Sequence, residues 1–241
     1  MTRKELLEKA KPILFNTEMV KAILEERKTV TRRVAFPADD FRKFHTSLYP
    51  DGWWFRGRMF RNRSDAEHYL LHTEKMCRYG KGDILYVRET WTRLPETSDG
   101  HFRPKGVYYY KAGEDLRPEK YQENGWRPSI HMPKEAARLF LRVTQVRVER
   151  VQDITEKQAV SEGLEPVLCS NCDGYGCSDC VGSGCREPAL VGFYDVWNGI
   201  IKPADRALYG WDANPWVWVI SFERMYSDED RRKTNDQERD L

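Results

Sequence analysis

Four cations crowd the seven residues Arg27-Lys28-Thr29-Val30-Thr31-Arg32-Arg33, where an amphipathic helix gives way to an extended segment. Such a cluster attracts an anionic or nucleotide-like ligand through its local field. The like charges of Arg27, Arg32 and Arg33 also press Lys28 toward its neutral form, in which a lysine acts as a base. In a straight strand Lys28 and Thr31 point to opposite faces, so the two meet only if the backbone turns between them. A basic turn after a helix is also a common solvated or phosphate-contacting surface.

Three other groups of residues carry chemistry. Cys169-x-x-Cys172 and Cys177-x-x-Cys180 are two knuckles, each continuing as C-x-x-C-x-G-x-G. Four thiolates at this spacing suit tetrahedral zinc, with Cys185 as a replacement ligand because the linker between the knuckles is tight. Each repeat also resembles half of the zinc site of J-domain cochaperones. A redox dithiol is the competing reading; a closed Cys₄ site is preferred because this segment has almost no apolar residues to fold around. Glu89 shares its strand parity with Leu85 and Val87, which predicts a buried carboxylate in need of a partner, either Arg32 or Arg33. A structural ion pair is favoured there over direct catalysis. The run Trp53 to Arg63 interleaves aromatics with arginines, a composition suited to single-stranded nucleic acid through Trp53, Arg56 and Arg58. Its alternative is an insertion packed by its tryptophans, with the arginines in solvent. Trp126, with Arg127 and His131, is a further candidate for the border of a ligand cleft.

The elements that must position these groups follow from pattern. At 241 residues, 40% apolar and 12% aromatic, with eight Trp, the chain folds around a substantial core. A formal charge of +2 excludes a global electrostatic field as the source of nucleic-acid preference. No apolar run reaches the ~20 residues of a membrane span, and the first residues lack a signal peptide's apolar stretch, so a cytoplasmic protein is expected. Ile13 to Phe15 reads as a strand, and Asn16 caps a helix with Met19, Val20, Ile23 and Leu24 on one face. Residues 37–80 and 92–137 read as insertions, the second loop-rich. Ile84 to Trp91 reads as a strand. Leu139 to Val151 alternates, with a parity slip between Val143 and Val146 that suggests a bulge. Thr155 with Gln158 makes a capping box for a helix that Gly163 ends. Leu190 to Ile201 reads as a helix, and Trp216 to Phe222 as an interior strand. The tail, 226–241, reads as disordered, and 166–187 as a zinc-binding insertion in a domain spanning 11–225.

The order R-K-T-V-T-R-R, then G-D-I-L-Y-V-R-E-T-W from Gly82, then D-I-T-E-K-Q-A-V-S-E-G from Asp153, then N-P-W-V-W-V-I-S-F from Asn214, resembles an ASCH domain, in particular its larger phage and prophage versions. That resemblance implies an α+β fold: a small PUA-like β-barrel with flanking helices. It also implies a cleft for RNA or a modified nucleoside, with single-stranded DNA as a further ligand. Some small family members hydrolyse N4-acetylcytidine with a lysine base, a threonine nucleophile and a glutamate proton donor. Position by position, these roles fall on Lys28, Thr31 and Glu162. Glu162 would sit in the last turn of its helix, where the dipole favours a protonated acid. The other readings are a noncatalytic RNA- or DNA-binding module, and a phage accessory protein acting through protein contacts. Oligomeric state does not follow from the pattern.

Overall fold

The computed structural model describes residues 1–73, 76–96, 102–113, 125–165, 167–168, 186–187, 189–226 and 228. Its helices are α1 (Arg3–Lys9), α2 (Thr17–Leu24), α3 (Arg63–His68), α4 (Glu156–Ser161), α5 (Ala189–Ile200) and α6 (Arg206–Tyr209). The strands in the first half are β1 (Lys11–Leu14), β2 (Val30–Phe36), β3 (Phe41–Phe44), β4 (Gly52–Phe55), β5 (Arg58–Phe60), β6 (Ile84–Arg88) and β7 (Trp91–Glu96). Those in the second are β8 (Phe102–Tyr110), β9 (Phe140–Arg150), β10 (Val167–Leu168), β11 (Arg186–Glu187) and β12 (Trp216–Met225). The fold is mixed α+β.

The helix ends are chemically marked. Asn16 accepts the Met19 amide at 2.8 Å and opens α2, which buries Val20, Ala22 and Ile23. α2 stops because the chain passes through the left-handed region at Glu26 (φ +59°), a conformation that costs a non-glycine residue on the order of 1 kcal/mol. Thr155 and Gln158 form the expected capping box of α4, and Gly163 follows it at φ +91°.

β1, β6, β9, β12 and β2 lie in that order in a five-stranded sheet. β1 runs parallel to β6, whereas β6–β9 and β12–β2 are antiparallel. Here the expected barrel is corrected: among the described residues no closed barrel forms, and β1 and β2 end the sheet. β12 reads as apolar on both faces because it is an inner strand covered on both sides, a requirement that an open sheet meets as well as a closed one. The two supposed insertions also contain sheets. β3, β4 and β5 form an antiparallel meander, and β7 pairs with β8. The strand expected over Ile84 to Trp91 is therefore two strands, separated at Glu89 and Thr90.

Two compact units account for the chain. The first comprises Met1–Glu26, Gly82–Val143 and Phe222–Leu241. Its core gathers Leu6, Tyr86, Trp91, Met132, Ala136 and Phe140. Glu89 lies in this unit, fully buried, and its partner is neither Arg32 nor Arg33. Arg138 grips both carboxylate oxygens, Nε at 2.9 Å and a terminal nitrogen at 2.8 Å, while its guanidinium stacks on Tyr110 at 4.2 Å. Expectation had the need for a partner right and the partner wrong.

The second unit comprises Arg27–Lys81 and Thr144–Ser221. Val217 and Val219 of β12 pack under Phe193 and Trp197 of α5. On the opposite side of β12, Trp216 meets Phe41 at 4.7 Å between ring centres, and Phe36 meets Phe55 at 5.0 Å. β9 passes from the first unit into the second between Val143 and Thr144, where the sequence parity slips.

Burial pushes the Tyr110 phenol up to about 12, with the Glu89 carboxylate adding to the effect. The unfolded chain releases that proton from about pH 10 and the folded one does not, so the stability that this raised pKa contributes is present below pH 10 and lost as pH rises toward 12. Urea denaturation across that window tests this. Tyr110→Phe is expected to flatten the alkaline loss, and an unchanged slope would contradict the assignment.

Candidate functional site

β2 begins the site. Directly opposed residues on an antiparallel pair face the same side, so Arg32 joins Val219 on the α4–α5 side, and Thr31 joins Ile220 on the other. Ahead of β2, Lys28 makes an isolated antiparallel bridge with Glu162, and the Thr29 amide donates to Ser161 O at 2.9 Å. Arg27 reinforces the junction by donating to Gly163 O at 2.8 Å and pairing with Glu165 at 3.1 Å. The end of α4 is thus stitched to the start of β2 by backbone and side chain together.

Glu162 is the C-cap of α4 and is buried, at 6% exposure. One carboxylate oxygen accepts from Lys28 Nζ at 2.7 Å and the other from Arg32 at 3.0 Å. Lys28 Nζ also donates to Glu162 O and Val30 O, each at 2.8 Å. An ammonium has three protons, and these three acceptors use all of them. Desolvation is the largest influence on Lys28 and lowers its pKa below 10.5; the Glu162 contacts pull the other way, and the charges of Arg33 and Arg32 add smaller depressions.

Arg32 extends the network. It donates to Gln158 Oε1 at 3.2 Å, lies 3.5 Å from Glu149, and covers the Phe193 ring at 5.7 Å. Gln158 therefore serves both the capping box and the site. Arg32 Nε and Glu149 Oε2 are buried without a hydrogen bond among the described residues, so a water or a polar ligand atom would find both a donor and an acceptor there.

Lys28 and Glu162, separated by 134 residues, are brought together, and Arg32 joins them. Thr31 is buried at 2% exposure but faces the other side of β2 from Arg32. The turn imagined between Lys28 and Thr31 occurs earlier, at Glu26. On the Thr31 side, Arg33 interacts electrostatically with Tyr79, whose phenol is pushed up by its own burial. Tyr79 in turn lines a cavity of about 340 Å³ with His72, Lys81, Gln145 and Val146, a volume within the range of small-ligand pockets. The sequence reading missed Gln158, Glu149 and Tyr79. Gln158 was visible as a cap, but nothing local marked the other two.

The remaining expected residues fall elsewhere. Trp53 is half-buried, 4.7 Å from Phe41 and 5.9 Å from Trp216, the arrangement of an insertion packed by its tryptophans. Arg56 is engaged by Asp40 at 2.6 Å, and Arg58 covers Tyr69 at 4.7 Å. Trp126 is half-buried in the first unit and His131 is exposed. Cys169, Cys172, Cys177, Cys180 and Cys185 lie outside the described residues, as does the tail apart from Tyr226 and Asp228. β10 and β11 pair Val167 with Glu187 and Leu168 with Arg186, so the chain leaves and returns at one place. Compared with known protein families, curated proteins and solved structures, the chain matches none.

Removing one member of a buried ion cluster leaves the others uncompensated, at about 3–5 kcal/mol. Glu162→Ala strands both Lys28 and Arg32, whereas Lys28→Met leaves Glu162 paired with Arg32. Chemical denaturation is expected to show Glu162→Ala as the more damaging by at least about 1 kcal/mol. Equal losses would mean that Arg32 does not share the carboxylate.

Proposed function

We propose that this chain is an ASCH-type protein that recognises RNA or a modified nucleoside and hydrolyses the amide of N4-acylated cytidine. The convergence of Lys28 and Glu162 from remote segments carries this reading, because the same pair was selected independently by the resemblance. In the reaction, the Thr31 hydroxyl attacks the acyl carbon while neutral Lys28 takes its proton. The C–N4 bond then breaks, Glu162 protonates the departing amine, and water hydrolyses the threonine ester. Lys28 and Glu162 enter the cycle in their neutral forms by passing one proton along their 2.7 Å contact.

A second reading, a noncatalytic RNA- or DNA-binding module, draws on two observations. Lys28 spends every proton on fixed acceptors, and Thr31 faces away from Glu162. Incubation with N4-acetylcytidine, with cytidine release followed by chromatography, decides between them. Hydrolysis is expected, with Thr31→Ala and Lys28→Ala each lowering kcat at least about 100-fold, the usual scale for a nucleophile or base. No turnover together with intact oligonucleotide binding establishes the second reading.

Cys169, Cys172, Cys177 and Cys180 are proposed to hold one structural zinc. The support is their spacing and the β10–β11 ladder that draws the two ends of their segment together. Metal analysis is expected to find about one zinc per chain, lost in Cys172→Ser/Cys177→Ser. Full retention in that variant would remove the assignment.

A further inference from the structure

The meander β3–β4–β5 has two unlike faces. Phe41 and Phe55 are buried on one, with Trp53 beside them. The register places Arg42, Trp54 and Met59 side by side on the other. There the Arg42 guanidinium lies 4.8 Å over the Trp54 ring, and Met59 is 61% exposed. Phe44 continues this face along β3, its ring lying over Gly52 so closely that a Cβ there would sit 2.6 Å from it. The hairpin between β4 and β5 turns through Arg56 (φ +44°) and Gly57 (φ +86°), a two-residue turn with both residues left-handed, which keeps the ribbon twisted and its register fixed.

Charge on this ribbon is one-sided. From Phe41 to Arg63 the sequence holds Arg42, Lys43, Arg56, Arg58, Arg61 and Arg63 against Asp51 alone. Lys43 is paired with Asp51, Arg56 with Asp40 and Arg63 with Glu67. Arg42, Arg58 and Arg61 are exposed and make no ion pair among the described residues. The outer face thus combines a planar aromatic, a guanidinium plane stacked on it, a flexible thioether and unneutralised positive charge.

We infer that the Arg42–Trp54–Met59 face is a docking surface for single-stranded nucleic acid, with an unpaired base stacking on the Arg42–Trp54 pair and a phosphate meeting Arg61. Single strands fit because their bases are free to stack, and because aromatic and guanidinium planes accept any base. Complementary charge selects a polyanion over an apolar partner. This surface is distinct from the Lys28–Glu162 cluster, and the inference holds whether or not that cluster hydrolyses anything.

Fluorescence anisotropy with labelled twelve-nucleotide RNA, DNA and duplex DNA tests it. Both single strands, or one of them, are expected to bind more tightly than the duplex and to weaken as salt rises. Trp54→Ala is expected to weaken single-strand binding about tenfold, the scale of one lost base stack, while Trp54→Phe restores most of it. Arg61→Gln should shallow the salt dependence without disturbing the fold. Lys202→Gln, at an exposed cation outside the ribbon, should bind the oligonucleotides as the parent does, which separates this face from unspecific surface charge. The inference is overturned if no single strand binds, if the duplex binds as well, if Trp54→Ala in folded protein binds like the parent, or if acidic phospholipid vesicles bind in preference to oligonucleotides.

Discussion

A carboxylate at 6% exposure, held by an ammonium at 2.7 Å and a guanidinium at 3.0 Å, sets where two remote parts of the second unit meet. Each of these ions costs several kcal/mol to remove from water, so none is tolerable there without the others. The arrangement is directional as well as neutralising. Lys28 bonds the Glu162 carboxylate and its backbone carbonyl together, so the end of α4 is gripped at two points. Arg32 approaches from within β2, which places the strand beside the helix. A hydrophobic substitute could fill the volume, but it could not specify both ends of the contact.

The same junction explains why the cap residues matter beyond helix stability. Gln158 Oε1 accepts from the Thr155 amide at 2.9 Å and from Arg32 at 3.2 Å, so the start of α4 is tied to the cluster at its end. Glu156, in the first turn of α4, accepts from the Ala189 and Leu190 amides at the start of α5. Positive helix termini attract carboxylates, and here the carboxylate comes from a neighbouring helix. α4 is only six residues long, too short to persist alone, and its three sets of anchors supply what its length does not.

Much of this was legible in the sequence where the signal was local. Asn16, the Thr155–Gln158 box, Gly163 and the periodicity of α5 marked their elements, and the doubly apolar β12 marked an interior strand. The meeting of Lys28 with Glu162 was reached only through resemblance, since no periodicity spans 134 residues. Three things were illegible for identifiable reasons. Adjacent Trp53 and Trp54 hide the alternation of β4, because tryptophan suits a buried face and an exposed stacking face alike. Arg138 carries no local mark as the partner of Glu89; only the pairing of β6 with β9 explains their meeting. Closure of the sheet depends on which strands are its edges, and burial along β12 is the same in an open sheet as in a barrel.

The chemistry of the site turns on where one proton resides. Three short contacts to fixed acceptors favour a charged Lys28, and a charged lysine cannot deprotonate a hydroxyl. Burial works in the opposite direction, lowering the lysine's pKa by making charge expensive. Two of the three acceptors are carbonyl oxygens that cannot take the proton, so Glu162 is the single destination open to it within the cluster. Transfer along that contact replaces two opposite charges by two neutral groups, and it becomes easier as surrounding water is removed. A ligand that sealed the neighbourhood of Arg32 and Glu149 would therefore act on the proton without touching Lys28. What separates a structural ion pair from a base and acid in waiting is thus the solvation of the cluster, and not the identity of its residues.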